Sequence, residues 1–571
     1  MPKRRATLNR VRCTTTSYAG RLAAAAVSTA AALVGVGVAA LALAGPGAAA
    51  GSHDGASHTP AAALAEEAAV VGRGLRAAAA DGRVAPDAAA RYRELLRTAV
   101  GTAPTLPPLR TAVLTTLIGD LAAAVPLFDT PRALTLFSTL ALNVDRLSSS
   151  RIPANGTDAT DADGIVYRWF AGQGYRFHPL ANFAALNNLV SGHNYDGAER
   201  LASALLARAE HARGGLVWEY WFRFGTGKPP WISGMAEAVA AQALSRAVGV
   251  VGNPNLLDAA RAAYRAAAAL TVQLPEGPWV QLYSFSKELV LNAQLQTAIS
   301  LAEYADSSND PAAAALAGRL RVAAAALLPR FDTGAWSLYS LDGPEADTGY
   351  HAFVADLLRK LGDQTGDPVW AAAAVRFAAY ETQPPVLEPG APPAAAYPVP
   401  ADGYRDDVAV AFTISKRSDM TLLVDGKPVA RDTFGRGAGV LRWVPGSDAA
   451  PGEHSAALLA RAANGLAATL ALPPLEVRHD LRAPVVTVRV SGRWVAWKAD
   501  DEGTPWLKLR LVLRQGPRIV TANLGRRPTS GAIALPVPPG SWQVELIATN
   551  SAGKGRRVPL GAPILGRLSP R

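Results

Sequence analysis

The hydrophobic pattern changes its period once along the chain. Between residues 61 and 381, apolar positions recur every three or four residues, as in Leu114, Leu117, Leu121 and Val125, and this spacing predicts helices. Beyond residue 399, apolar and polar positions alternate in β-branched segments such as APVVTVRVSG and LKLRLVLRQG, which predicts strands. The sequence therefore predicts a mainly helical part followed by an all-β part.

The helical part divides at the polar loop SSSRIPANGTDATDADG. Residues 61–150 precede this loop and form a helical N-terminal segment. Residues 165–381 follow it and alternate alanine-rich helices with loops rich in Trp, Tyr, Gly and Pro. Because small residues allow helices to pack closely, we expect an α/α toroid or incomplete barrel. Its aromatic loops would line a cleft at the helix ends.

The all-β part begins after a Pro/Ala linker at residues 382–398. Strand and turn signals then predict two β-sandwiches of the immunoglobulin or fibronectin III kind, at residues 399–480 and 481–560. The segment VDGKP, from Val424 to Pro428, is typical of a hairpin turn. Residues 561–571 form a basic tail.

The beginning of the chain has the pattern of an export signal. In residues 1–50, a basic stretch precedes an apolar run from Leu22 to Ala44 and a small-residue cleavage site, and a linker follows at residues 51–60. We therefore expect a secreted or cell-envelope protein, with an uncleaved membrane anchor as the alternative. The single cysteine, Cys13, lies in this signal, so the mature chain would contain neither a disulfide nor a catalytic thiol.

The formal charge of +11 is strongly influenced by the signal. Six cations and no acid lie in the first fifty residues, which leaves 51 Lys and Arg against 46 Asp and Glu. This mild excess suits an anionic polysaccharide as partner, although a solvated surface explains it equally well. Nucleic acid is not expected as a partner. The β-sandwiches could bind glycan, associate with the cell envelope or bind another protein.

Common nucleophile and metal motifs are missing from the sequence. It contains no G-x-S-x-G, no P-loop and no H-x-x-x-H pair, so we expect neither a metal nor another cofactor. Asp158, Asp161 and Asp163 suggest a calcium loop. However, Ala159 and Phe170 occupy the first and last ligand positions of the corresponding EF-hand register, which favours an ordinary polar loop.

The remaining candidate chemistry is that of tyrosine. A phenol suits proton transfer at a carbon beside a carboxylate, where base and acid must both be weak. A cation or histidine must hold that carboxylate, because proton loss leaves enolate-like charge on it. The candidate proton-transfer residues are Tyr283, Tyr339 and Tyr350. The candidate substrate-binding residues are His351, Tyr220, Arg223, Trp231, Asn292 and Trp279.

Four motifs occur in one order between Trp218 and Leu358. They are Trp231-Ile232-Ser233-Gly234-Met235-Ala236, Tyr283 leading to Val290-Leu291-Asn292, Leu328-Pro329-Arg330-Phe331-Asp332-Thr333-Gly334 with Tyr339-Ser340-Leu341, and Tyr350-His351. In this order they resemble the C-terminal helical domain of D-glucuronyl C5-epimerases. The resemblance covers roughly a quarter of the chain.

The resemblance implies an isomerase that inverts C5 of uronic acids in a heparosan-like polysaccharide by tyrosine-assisted proton abstraction. Tyr283, Tyr339 and Tyr350 fall on the functional tyrosines of that family. The chain departs from the family at two places. Leu282 occupies the position of an acidic residue, and Asp342-Gly343 replaces an arginine expected shortly after Tyr339.

Two other functional classes stay open. A non-catalytic glycan-binding or envelope scaffold protein would keep the cleft without the chemistry, and the departures from the family favour it. A polysaccharide lyase or hydrolase could use the same α/α architecture. A hydrolase needs two carboxylates across the scissile bond, and no sequence feature indicates such a pair.

Overall fold

The computed structural model describes residues 60–149, 151–535, 537–561 and 563–566 of the 571. The predicted signal peptide, nearly all of the linker that follows it, and most of the basic tail lie outside the described residues. The chain forms two compact units, which divide between Glu381 and Thr382.

The described part of the first unit contains twelve α-helices. Their bounds are α1 Pro60–Ala80, α2 Pro86–Thr102, α3 Pro108–Ala124, α4 Thr130–Ser149, α5 Pro179–Ser191, α6 Tyr195–Leu206, α7 Gly234–Val251, α8 Asn255–Ala269, α9 Leu291–Ser308, α10 Pro311–Phe331, α11 Thr348–Thr365 and α12 Pro368–Glu381. Short strands interrupt them at β1 Asp158–Thr160, β2 Val166–Phe170, β3 Gly174–Phe177, β4 Glu210–Ala212, β5 Gly215–Val217, β6 Thr271–Leu274 and β7 Gly277–Val280.

Helices α1 to α4 pack on one another and, through α4, on strand β3. The predicted helical period is visible in α3, where Leu114, Leu117 and Leu121 are all buried. Helices α2 and α3 begin with Pro86 and Pro108, whose fixed φ and missing N–H are tolerated in the first turn. By length and composition alone, the segment Pro108–Leu127 and helix α10 could span a membrane, as many core helices of globular proteins could.

Helices α5 to α12 form four consecutive hairpins, each made of an inner and an outer helix. The inner helices α5, α7, α9 and α11 contact one another in chain order, and each outer helix packs on its own inner partner. Alanine makes this packing close: Ala236, Ala240, Ala243 and Ala247 of α7 are completely buried. This incomplete α/α ring, followed by a β-rich unit, confirms the predicted fold class.

The second unit consists of β-strands. Their bounds are β8 Leu387–Pro389, β9 Ala396–Val399, β10 Val408–Ile414, β11 Ser418–Val424, β12 Lys427–Phe434, β13 Gly437–Trp443, β14 Gly452–Ala462, β15 Ala467–His479, β16 Val485–Ser491, β17 Trp494–Asp500, β18 Trp506–Gln515, β19 Arg518–Pro528, β20 Ser530–Ala534, β21 Gly540–Thr549, β22 Gly555–Pro559 and β23 Ile564–Gly566.

These strands form two sheet pairs, each with its own apolar core. The first pairs the sheet β13-β10-β8 with β12-β11-β14-β15-β9, and the second pairs β16-β17-β20 with β19-β18-β21-β22, where β23 also joins β21. Phe412 and Leu458 are buried in the first core, and Leu509 and Trp542 in the second. The predicted hairpin turn is present between β11 and β12, where Asp425 and Gly426 have φ of 49° and 75°.

Candidate functional site

The inner helices of the ring begin beside a common cavity. Three of its lining residues are His178 and Ser233, which cap α5 and α7, and Asn292 in the first turn of α9. Tyr350, in the first turn of α11, also lines it. Since each inner helix is followed by an antiparallel outer helix, these N-terminal ends lie on the same side of the ring.

The caps fix the local backbone at the helix ends. The Nδ1 atom of His178 accepts a hydrogen bond from the backbone N–H of Ala181 at 3.1 Å, so the neutral imidazole carries its proton on Nε2. The Asp347 carboxylate accepts from the Tyr350 N–H at 2.9 Å and starts α11. Side-chain caps thus fix the first turns of α5, α7 and α11 beside the cavity, whereas α9 begins without one.

Most of the cavity wall is aromatic. Its volume is about 50 Å³, and the lining residues are Phe170, His178, Leu180, Tyr220, Phe222, Phe224, Trp231, Ser233, Met235, Leu282, Tyr283, Asn292, Tyr350 and Phe353. Typical ligand pockets are larger, about 300–1,000 Å³, so a sugar ring could enter only if the lining loops moved apart. Phe224 and Phe285, which both pack against Trp231, are partly exposed and stand on those loops.

The three candidate tyrosines form one cluster at this cavity. The hydroxyl oxygens of Tyr283 and Tyr339 lie 3.1 Å apart and share a hydrogen bond, although Tyr339 itself does not line the cavity. The Tyr339 and Tyr350 rings meet edge to face with centroids 5.0 Å apart. Burial raises the pKa of all three phenols, so each is neutral at physiological pH.

A carboxylate that sequence reasoning missed lies near this cluster. Glu288 accepts a hydrogen bond from the Ser340 hydroxyl at 2.6 Å. Burial is the main cause of the raised pKa of Tyr283 and Tyr339, and the negative charge of Glu288 is a further cause. The signal was present in the sequence, because Glu288 follows Tyr283 in the same loop. The structure thus supplies a nearby acid although Leu282 occupies the position where the related family has one.

The structure also supplies a cation that was not predicted. The Arg168 side chain is only 1% exposed, and its Nε and Nη2 atoms donate to Asp158, each at 2.7 Å. Its Nη1 atom is buried and has no hydrogen-bond partner among the described residues. A buried guanidinium N–H without an acceptor is costly, so binding of an acceptor at this atom would be favourable.

Arg168 acts electrostatically on three residues of the cavity wall. Desolvation is the main cause of the lowered pKa of His178, and the positive charge of Arg168 is the second cause. It also counteracts the effect of burial on the pKa of Tyr220 and Tyr350, because a cation favours the ionised phenol. On strand β2, Arg168 lies on the same face as Phe170, which lines the cavity. Arg168 is therefore close enough to influence the cavity wall electrostatically, although it is not one of the lining residues.

Of the predicted substrate-binding residues, Tyr220, Trp231 and Asn292 line the cavity. The Tyr220 and Trp231 rings are parallel with centroids 4.0 Å apart, and the Tyr220 hydroxyl accepts from the backbone N–H of Leu180. The Arg223 side chain is exposed on the loop between the lining residues Phe222 and Phe224, where Gln173 holds its backbone.

His351 and Trp279 are completely buried and do not line the cavity. His351 stacks on Trp336 at 3.8 Å, its Nε2 donates to the Phe377 carbonyl, and its Nδ1 bonds the Ser337 hydroxyl. Trp279 stacks on Phe331 in the neighbouring core. Both residues stabilise helix packing, and their predicted contact with substrate remains a prediction.

The aspartates of the loop before β2 are engaged in protein contacts. Asp158 pairs with Arg168, and Asp161 accepts from the Tyr167 hydroxyl and from two backbone N–H groups. Across the described residues, no group of three or more His, Cys, Asp or Glu side chains has an arrangement that could hold a metal ion. The polar-loop interpretation remains a prediction.

Part of the ring matches a known protein family. Residues 213–379 match the family described as D-glucuronyl C5-epimerase C-terminus, and this segment contains all three tyrosines. The match confirms the resemblance that the four motifs predicted, and the ring from α7 to α12 is similar to that C5-epimerase domain. No curated protein matches the chain.

Two solved structures are similar to the chain only at a low level. Fibronectin(III)-like modules of Clostridium thermocellum CbhA share 12% identity over 32% of this chain and 93% of theirs, with a TM-score of 0.17. Dimeric latent PorU from Porphyromonas gingivalis shares 12% identity over 32% of this chain and 20% of its own length, with a TM-score of 0.14. Neither likeness bears on function.

Proposed function

We propose that the helical unit is an exported uronyl C5-epimerase that acts on a glucuronate-containing polysaccharide. The observation that carries the proposal is the hydrogen-bonded cluster of Tyr283, Tyr339 and Tyr350 at the cavity, within the segment that matches the C5-epimerase family. The family match supports the reaction class. The substrate, the route of export and the mechanism are inferred from the site and from the sequence.

Two charges act in opposite directions on the cluster. Glu288 disfavours ionisation of Tyr283 and Tyr339, whereas Arg168 partly offsets the burial and the Asp347 charge that raise the pKa of Tyr350. In this proposal Tyr350 accepts the C5 proton in its minor, ionised form, and a neutral phenol of the Tyr283–Tyr339 pair returns a proton to the opposite face. The C5–H bond is broken and then reformed, so the atomic composition of the sugar does not change.

Arg168 would hold the carboxylate on which negative charge develops when C5 loses its proton. Its buried Nη1 donor fits this role, because a preorganised cation in a dry site stabilises such charge strongly. Glu288 and Arg168 would compensate for both departures from the family pattern, because they provide an acid and a cation from other positions. It favours the enzyme over a binding protein that has lost its chemistry.

The test is deuterium exchange at C5. A glucuronate-containing polysaccharide incubated with the protein in D₂O should acquire deuterium at C5, observed by NMR. Tyr283→Phe keeps the ring but removes the hydroxyl, so its exchange rate should fall by about a hundredfold or more, the usual contribution of a general acid or base.

Tyr264→Phe is the matched control for this experiment. Tyr264 is also a partly buried tyrosine, but it stacks on Tyr304 outside the cavity lining, so its loss should leave the exchange rate unchanged. An unsaturated sugar end in the product would identify a lyase instead. Absence of exchange by the unmodified protein on all glucuronate polymers would refute the proposal.

A further inference from the structure

The positive charge of the chain is concentrated in its last β-sandwich. Residues 481–560 carry 13 Lys and Arg against 4 Asp and Glu, whereas the neighbouring residues 399–480 carry 9 against 10. The helical residues 60–381 carry 27 Lys and Arg against 30 Asp and Glu, which is a small negative excess. An anionic polymer would therefore be attracted to the last sandwich more strongly than to the helical unit.

Much of this charge lies on one face of the sheet β19-β18-β21-β22. In β18, Leu507, Leu509, Leu511 and Leu513 are buried in the sandwich core, and of the alternate positions Lys508, Arg510 and Arg514 are exposed whereas Val512 is buried. The five cations of this solvent face, which we call the basic face, are Lys508, Arg510, Arg514, Arg526 and Arg557, and all are exposed.

The strand register brings these cations together. Lys508 of β18 lies directly opposite Arg526 of β19. On the other side of β18, Arg510 lies opposite Ile547, and Ile547 in turn lies opposite Arg557 of β22. Because residues that oppose each other across antiparallel strands share a face, the five cations share one face and stand on β19, β18 and the edge strand β22, with Ile547 of β21 between Arg510 and Arg557.

Acidic residues compensate for little of this charge. Among the described residues, one cation of the basic face forms an ion pair: Arg557 lies 3.4 Å from Glu545. Like charges directly opposite in a sheet are destabilising, as for Lys508 and Arg526, so the arrangement costs stability in the free protein. A bound polyanion would remove that cost.

The face also has an aromatic element suited to sugars. The guanidinium carbon of Arg526 lies 4.2 Å from the centroid of the Trp506 ring, in cation–π contact. Trp506 occupies the same face of β18 as Lys508 and Arg510 and is partly exposed. Aromatic surface beside cations can contact a sugar ring while the cations bind its carboxylates.

We propose that the basic face binds an acidic polysaccharide and retains it for the helical unit. The choice of a polysaccharide rests on the proposed function, whereas the requirement for a polyanion rests on the charge of the face alone. Nucleic acid and anionic lipid would satisfy that charge as well, and the experiment separates these sources.

The experiment measures binding of the full chain to a labelled glucuronate–N-acetylglucosamine polysaccharide at several salt concentrations. The triple variant K508Q/R510Q/R514Q should bind about tenfold or more weakly at 0.1 M salt, with a shallower dependence of affinity on salt, because three cations no longer displace counterions. The matched control R489Q/R493Q/K498Q removes three exposed cations from the β16-β17 hairpin of the other sheet, where Arg493 lies in the turn, and its affinity should fall by less than about threefold.

Further probes identify the ligand and separate this proposal from the previous one. Neither triple variant nor the unmodified chain should bind the carboxyl-reduced, neutral polysaccharide tightly. The Tyr283→Phe variant should bind the acidic polymer normally, even though its C5 exchange is lost. Equal losses in the two triple variants would show that the charge acts diffusely and would overturn the proposal. Tighter binding to single-stranded DNA or to vesicles of anionic phospholipid than to the polysaccharide, or no polysaccharide binding at all, would also overturn it.

Discussion

Arg168→Gln is expected to lower kcat/KM for C5 exchange about a thousandfold, which corresponds to about 4 kcal/mol and is the usual cost of truncating a buried charge partner. Nη1 of Arg168 is a buried cationic donor without an acceptor in the described protein, beside the residues that line the cavity. None of the residues that line the cavity is a lysine or an arginine, so Arg168→Gln removes the proposed partner of the substrate carboxylate. The measurement is C5 exchange at varied polymer concentration, together with the thermal midpoint of unfolding.

A binding measurement separates the role of Arg168 from its contribution to the fold. The unmodified protein should prefer a glucuronate oligosaccharide over its carboxyl-reduced form, and Arg168→Gln should abolish that preference. Arg176→Gln is the control, because Arg176 is also buried on the neighbouring strand but donates to Trp221 and Gln173 and pairs with Asp120. It should lower stability while the preference survives. If Arg168→Gln kept the preference for the carboxylate, the assignment of Arg168 would be wrong.

Periodicity and motif order predicted much of the fold and part of the site. The helical period and the strand alternation gave the two architectural parts, because burial of one face imposes those spacings on the sequence. The Asp425-Gly426 turn was predictable for the same local reason, since both residues tolerate positive φ. The four motifs predicted the tyrosine cluster of Tyr283, Tyr339 and Tyr350, which the structure brings together.

Neighbours in sequence were a poor guide to which side chains reach the cavity. Tyr350 and His351 are consecutive in the first turn of α11, and successive helical residues point in directions about 100° apart. Tyr350 therefore faces the cavity while His351 packs between Trp336 and Phe377. The direction of a helix relative to its neighbours is a tertiary property that a short motif does not contain.

Arg168 was missed because its environment depends on the fold. It stands in the fully buried strand VYRWF, and a cation in such a run is unusual enough to indicate a specific partner. The sequence does not show which partner, because Asp158 lies on the adjacent strand and the cavity residues other than Phe170 lie on other segments of the chain. Charged residues inside apolar strands are therefore useful candidates even without a motif.

A second buried charge cluster joins α4 to the hairpin β4-β5. Arg132 forms a bidentate pair with Glu219, both contacts at 2.9 Å, and also contacts Asp129 at 2.7 Å and Glu210 at 3.4 Å. One guanidinium thus faces three carboxylates. Burial, reinforced by the charge of Asp129, raises the pKa of Glu210 to about 8.

This raised pKa makes the stability of the helical unit depend on pH with a defined sign. The folded protein holds a proton on Glu210 more tightly than the unfolded chain does, where the pKa is about 4.5. The contribution of Glu210 is therefore fully present below about pH 4.5 and is lost progressively as the pH rises to about 8.

Glu210→Gln is consequently expected to stabilise the protein at alkaline pH, because glutamine resembles the protonated acid and stays neutral. At pH 8 and above, the variant should unfold with a free energy higher by on the order of 3 kcal/mol, and near pH 4.5 the difference should vanish. Denaturant unfolding at a series of pH values measures this. Glu219→Gln, which breaks the bidentate pair with Arg132, should instead destabilise at neutral pH. A Glu210→Gln stability profile parallel to that of the unmodified protein would show that Glu210 is ionised in the fold, and that Arg132 compensates for all three carboxylates.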